Sequence, residues 1–231
     1  MQRIELVNSN GMKVLLVDYG ARIASILVPC NGELLEMTVT PKDKALLEKD
    51  LFYLGATCGP VCNRISNASF SLNGIVYRLR KNDGKNCLHG GENNISLRHW
   101  EIYKQSDEQV IFKLTLAHLE DGFPGNRELY VRYHLSEDNA LDIRFNVKSD
   151  MDSPINLTNH AYFNLGEKDI QHLMFKLNAK EMLERKSNGL PTGRLLNSEN
   201  TGFDISYWTM VKDFINENHY EQIIAEEGMT L

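Results

Sequence analysis

Positive charge is in short supply in this chain. Its 231 residues carry 25 Lys and Arg against 31 Asp and Glu, for a formal net charge of -6. Such a balance repels a phosphate backbone, and no Lys/Arg stripe overcomes it locally, so nucleic acid is not an expected partner. Long apolar runs are also missing. No segment approaches the roughly 20 apolar residues that span a bilayer, so no membrane partner is expected. The start, Met1-Gln2-Arg3-Ile4-Glu5-Leu6, has charges where a signal peptide needs an apolar run, and no cleavage site follows, so the expected compartment is the cytoplasm. There Asn156-Leu157-Thr158 has no meaning as a glycosylation acceptor. Cysteine is scarce too: Cys30, Cys58, Cys62 and Cys87 are too few and too scattered for a disulfide scaffold. Cys58 and Cys62 with His89 could form part of a metal site, but no second close Cys/His pair completes it. Reduced buried thiols and no metal are the expectation. With no repeat, low-complexity tract or linker, residues 1–231 read as one domain. Its 42% hydrophobic and 24% charged composition is ordinary for a globular protein.

Helical periodicity is scarce, and the dominant period is two. Leu141, Ile143, Phe145 and Val147 alternate with Asp142, Arg144, Asn146 and Lys148, as a half-buried strand requires. Leu129, Val131, Tyr133 and Leu135 do the same before them, and the polar stretch Ser136 to Ala140 joins the two as a hairpin. Phe112, Leu114 and Leu116 mark another strand. Phe70 and Leu72, then Ile75, Tyr77 and Leu79, flank Asn73-Gly74, whose residues tolerate the positive φ of a tight hairpin turn. Pro41 to Asp50 is expected to form about two and a half helical turns, with Ala45, Leu46 and Leu47 on its apolar side. Ile205 to Ile215 is ambiguous. Neither would cover a sheet, so the apolar strand faces must bury against another sheet, in a sandwich or closed barrel.

Three polar clusters interrupt this pattern. The first is Gly59-Pro60-Val61-Cys62-Asn63-Arg64-Ile65. Arg64 offers a donor fork suited to a carboxylate or to paired sugar oxygens, although taken alone it reads more simply as a surface arginine. The second is Asn82-Asp83-Gly84-Lys85-Asn86-Cys87-Leu88-His89-Gly90-Gly91. Glycine beside His89 permits a sharp turn and close approach to a ligand; a long loop with a solvated His is the plainer alternative. The third is Asn156-Leu157-Thr158-Asn159-His160-Ala161-Tyr162-Phe163-Asn164-Leu165. Its polar and aromatic groups follow a strict strand and should be partly buried, which suits either a functional pocket or a satisfied polar core. Together the clusters supply two imidazoles, a guanidinium, amides and aromatic faces, without a phosphate loop or a metal set. That mixture suits an uncharged polyhydroxylated ligand. Amides and Arg bridge hydroxyls, aromatic rings cover a pyranose face, and His moves a proton near neutral pH.

These clusters, with Phe70 to Leu79, Asp121-Gly122-Phe123-Pro124-Gly125 and Pro191-Thr192-Gly193, occur in an order that resembles the aldose 1-epimerases, or galactose mutarotases. The resemblance implies an all-β fold, a large antiparallel β-sandwich (supersandwich) with few short helices and an open sugar cleft across one sheet. It implies interconversion of the α and β anomers of free hexoses, galactose and glucose foremost, with no cofactor. His160 would act as general acid on the ring oxygen, His89 would hold or polarise the same region, and Asn63 with Arg64 would bind sugar hydroxyls. The family's Tyr-Asp pair, whose Asp contacts a hydroxyl near the anomeric carbon, has its nearest match in Tyr220-Glu221, making Glu221 a candidate substrate ligand.

The family's general base is a Glu close to the C-terminus, beyond the region matched, and Glu226 and Glu227 do not sit in its context. Family members also run longer, so the final strands of the sandwich are expected to be missing and mutarotase activity of the 231 residues to be poor. A non-catalytic carbohydrate-binding or regulatory protein on the same sheet is the alternative. Use of phosphorylated hexoses would call for extra Lys or Arg near the cleft, and the loops show no such cluster.

Overall fold

Alternation builds the first sheet. In a computed structural model, β1 (Arg3–Val7), β2 (Lys13–Val17), β3 (Arg22–Cys30) and β4 (Glu33–Glu36) pair antiparallel in sequence order. Ile4 and Leu6 of β1 and Val14 and Leu16 of β2 are buried between more exposed neighbours, except that Val17 at the end of β2 is buried as well. The structure describes residues 1–39, 41 and 44–215, which fall into two compact units divided after Gly166.

In the first unit a short helix, α1 (Lys44–Glu48), leads to five short strands: β5 (Thr57–Cys58), β6 (Arg64–Ile65), β7 (Ser69–Leu72), β8 (Ile75–Arg78) and β9 (Cys87–Leu88). A second antiparallel sheet follows from β10 (Glu101–Gln105), β11 (Gln109–Leu116), β12 (Arg127–Leu135) and β13 (Leu141–Ser149). The unit closes with β14 (Thr158–Asn159), which pairs with β5, while β6 pairs with β9. The two four-stranded sheets bury one core between them. Ile4, Leu6, Val14, Leu16, Ile23 and Ile26 meet Val110, Phe112, Leu116, Leu129, Val131 and Tyr133. This is an antiparallel sandwich.

The expected strands are present, and Asn73-Gly74 joins β7 to β8 with φ of 52° and 77°, the positive values the two-residue turn requires. The helix expected over 41–50 is shorter. It spans Lys44–Glu48, and of its apolar residues Leu47 is buried while Ala45 and Leu46 are exposed. The Asp50 carboxylate ends it by accepting the backbone N–H groups of Phe52 (2.8 Å) and Leu54 (2.7 Å), which draws the chain into a turn.

The second unit contains β15 (Met174–Phe175), β16 (Glu181–Arg185), β17 (Pro191–Asn197), β18 (Thr209–Met210) and one helical turn, α2 (Val211–Phe214). The ambiguous stretch 205–215 thus becomes a bridge to β15 followed by that turn. Pro191-Thr192-Gly193 opens β17, the partner of β16 in a hairpin. No described helix is long and apolar enough to cross a membrane.

Candidate active site

His160 follows directly on β14, and the sandwich core fixes that strand. Tyr133, fully buried on β12, donates its hydroxyl to the Ala21 carbonyl at 2.7 Å. Asn159 in turn donates its amide to the Tyr133 oxygen (3.2 Å) and to the Gly55 carbonyl (2.8 Å). The His160 backbone completes the anchor, donating to Ala56 at 2.8 Å and accepting from Gly55 at 3.0 Å. Gly55 is required there, because a Cβ would lie 1.9 Å from the Ile23 carbonyl oxygen. The imidazole is therefore placed by contiguous, satisfied hydrogen bonds rather than by a free loop.

His89 reaches the same place from the β9 end. Its N–H donates to the Asn63 carbonyl (3.1 Å), and its Nδ1 accepts the Asn63 backbone N–H (3.2 Å). An accepting Nδ1 is unprotonated, so in the neutral ring the proton sits on Nε2, which is left as a donor. His89 is 9% exposed, which overturns the alternative of a solvated loop residue. Gly90 admits this close packing, since a Cβ would fall 2.1 Å from the Gly59 carbonyl oxygen. The His89 and His160 ring centroids lie 5.3 Å apart, edge to face at 84°.

Arg64 is not a surface arginine either. Its side chain is 7% exposed and its Nε donates to Asp83 at 2.9 Å, because pairing of β6 with β9 folds the second cluster over the first. Asn63 itself is exposed and its side-chain oxygen accepts the Arg64 N–H at 2.8 Å. Asn63, Arg64, His89 and His160 thus gather in one region, whereas Glu221 lies outside the described residues, as do Glu226 and Glu227.

Sequence reasoning passed over Tyr53. Its ring centroid lies 4.6 Å from His89 and 5.9 Å from His160, and Tyr162 lies 5.2 Å from His160. Tyr162 belongs to the third cluster and was within reach of the sequence; the Leu51-Phe52-Tyr53 run carries no pattern that distinguishes its last member. Tyr53, Asn63 and His89 all adopt left-handed backbone, with φ of 58°, 62° and 51°. Such non-glycine positions cost free energy and persist only where surrounding structure enforces them.

Burial dominates the electrostatics. It lowers the His89 pKa to about 4, helped by the positive charge available on His160 and Arg64. Burial also lowers that of His160, opposed by a backbone hydrogen bond and by Asp50. The Tyr53 phenol is pushed up to about 12 by burial, so it stays neutral. Because His89 is less basic folded than unfolded, the unfolded chain binds the extra proton as pH falls below about 6.5. Its contribution is complete above that pH and is lost between about 6.5 and about 4. The loss should be about 2 kcal/mol at pH 5 and about 3 kcal/mol once the window is crossed. Urea unfolding at pH 7 and pH 5 should show a steeper fall for the wild type than for His89→Gln. Equal falls would remove His89 as the cause.

The other features noted in the sequence do different work. Cys58 and Cys87 are buried, which raises their thiols to about 12 and about 11 and keeps them protonated. Among the described residues no group of three His, Cys, Asp or Glu is placed to hold a metal ion. Asp121-Gly122-Phe123-Pro124-Gly125 builds the corner between β11 and β12. The fully buried Arg127 pins it through the carbonyls of Gly125 (3.0 Å), Ala117 (3.0 Å) and Glu120 (3.2 Å). A cavity of about 950 Å³ lies beside that corner, lined in part by Arg80, Arg98, Glu120 and Asp121, and neither histidine borders it.

The family model described as aldose 1-epimerase matches residues 2–227. The chain belongs to the aldose 1-epimerase family. It is 39% identical over 220 residues to an aldose 1-epimerase of Haemophilus influenzae, covering 93% of this chain and 64% of that protein. With an aldose 1-epimerase of Escherichia coli the identity is 35% over 204 residues, covering 87% and 59%. A solved aldose epimerase homologue from C. elegans superposes with a TM-score of 0.88 at 31% identity, covering 92% of this chain and 66% of that one. The chain therefore spans about three fifths of the length of these curated relatives. The paired histidines each follow a two-residue strand, His89 after β9 and His160 after β14.

Proposed function

We propose that the protein is an aldose 1-epimerase that interconverts the α and β anomers of free hexoses such as galactose and glucose. The observation that carries this reading is the edge-to-face pair of His89 and His160, flanked by Tyr53 and Tyr162, in a chain of this family. Ring opening removes a proton from the anomeric hydroxyl and delivers one to the ring oxygen. Rotation about the C1–C2 bond and reclosure then give the other anomer. His160 supplies the proton to the ring oxygen. Its lowered pKa makes its conjugate acid a ready donor, at the cost of a smaller protonated fraction at neutral pH. His89, with its Nε2–H free to donate, polarises the same oxygen, and Asn63 and Arg64 bind hydroxyls. The resemblance assigns the anomeric proton to a Glu; Glu221, Glu226 and Glu227 are outside the described residues. No step calls for a cofactor.

Polarimetry of freshly dissolved α-galactose tests the reading, with calorimetric titration of the same sugar beside it. Faster mutarotation supports the enzyme. Saturable binding without acceleration would turn the reading to a carbohydrate-binding protein, and neither result would end both.

Arg64 should affect binding and turnover together. Its guanidinium is oriented by Asp83, so Arg64→Ala removes a pre-set charged donor, typically worth about 1.5–3 kcal/mol. KM should rise and kcat should fall, by about tenfold or more in kcat/KM. Steady-state constants unchanged in Arg64→Ala would confine the residue to a structural role with Asp83.

A further inference from the structure

We infer that Tyr53 is a positioning residue of the sugar site: its ring is a wedge, locked by the buried Arg22–Asp50 pair, that sets the two imidazoles against each other and keeps water from their shared side. The inference rests on the mutarotase reading for its consequence in turnover.

Tyr53 is the ring that approaches both histidines, at 4.6 Å from His89 and 5.9 Å from His160, while those two lie 5.3 Å apart. The three rings form a closed triangle, so moving one opens a gap beside the other two. The wedge is not held by its own conformational preference, because φ of 58° is unfavourable for an aromatic residue. It is held by the turn around it. Asp50 accepts the N–H groups on either side, from Phe52 and from Leu54. Arg22 binds the Asp50 carboxylate at 2.5 Å and the Leu54 carbonyl at 2.8 Å, and both side chains of the pair are 1% exposed. The Tyr53 carbonyl accepts from Ala56 at 2.9 Å, two residues before the Cys58 partner of β14. A charged pair this deeply buried keeps one geometry, and the turn it fixes has Tyr53 at its apex.

No hydrogen bond of the Tyr53 hydroxyl is found among the described residues. The ring, rather than the oxygen, is therefore the working part, and Phe should replace it. Besides Tyr53 and each other, the groups that act on the imidazoles are Arg64 on His89, and Asp50 and the Tyr162 ring on His160. Removing the ring changes none of these charges, so a shift in imidazole titration reports water entering.

The test compares wild type, Tyr53→Ala and Tyr53→Phe in two measurements. NMR titration of the His89 and His160 side chains needs no activity. In Tyr53→Ala the His89 midpoint should climb from about 4 towards the ordinary histidine value, by about one unit or more, and Tyr53→Phe should keep the wild-type midpoint. Polarimetry should then show kcat reduced about 10- to 100-fold in Tyr53→Ala, as expected for misplaced catalytic groups, with Tyr53→Phe near wild type. Unmoved midpoints in a Tyr53→Ala protein that retains its far-ultraviolet circular dichroism would overturn the inference. So would moved midpoints with unchanged kcat, or a Tyr53→Phe variant as impaired as Tyr53→Ala. If Tyr53→Ala does not fold, Tyr53→Leu, of closer volume, carries the same titration. A wild type without mutarotation counts against the proposed function, and the titration alone then decides the wedge.

Discussion

Replacing His160 with Gln is expected to lower kcat for mutarotation by about 10²–10⁴-fold, the usual worth of a positioned general acid. The side chain amide of Gln can still donate a hydrogen bond but cannot deliver a proton to the ring oxygen. Folding should be nearly unaffected, because the anchoring of this residue is through its backbone, to Ala56 and Gly55. KM should move little, since the loss falls on the transition state rather than on sugar binding. Polarimetry of the variant beside wild type at equal concentration measures the loss. Retention of most of the turnover would assign the acid elsewhere, with His89 the first to examine.

The largest expected loss of stability comes from Asp50→Ala, at about 3–5 kcal/mol. Truncation leaves the Arg22 guanidinium charged and buried without its partner, and strips the acceptor from two backbone N–H groups of the following turn. Unpaired charge in the interior is what makes this costly; the pair as a whole is worth far less than the loss from breaking it. Arg22→Met combined with Asp50→Leu should therefore be distinctly less destabilised than Asp50→Ala alone. Urea midpoints of the three proteins give the comparison. A double variant as unstable as the single one would show that Asp50 acts through the turn rather than through the charge.

The sandwich was legible because its long strands obey a period of two. β12 alternates without exception, and so do β1 and β11, whereas β2 ends on the adjacent buried pair Leu16 and Val17. The Asn-Gly hairpin was legible from turn chemistry. β5, β6, β9 and β14 were not, since strands of two residues hold no period, and yet these position every histidine and arginine of the site. His89, His160, Asn63 and Arg64 were singled out by polar clusters against an apolar pattern and by the resemblance that their order along the chain carries, and the structure brings the four into one region. The burial of Arg64 was hidden because its partner, Asp83, is 19 residues away and faces it only after β6 meets β9. The burial of Arg22 was hidden in the same way, because its partner Asp50 is 28 residues on. Tyr53 followed from none of these signals, because its place depends on that pair.

The left-handed backbone at Tyr53, Asn63 and His89 has a bearing on how this protein can be improved. Each would be more comfortable as glycine, which adopts such angles without steric cost. A library screened for heat resistance alone will thus be rewarded for erasing side chains of the proposed site, at the expense of the turnover they are proposed to support. Directed evolution should hold these three positions constant and diversify the outward residues of β12 and β13, which lie on the far side of the sheet from the core.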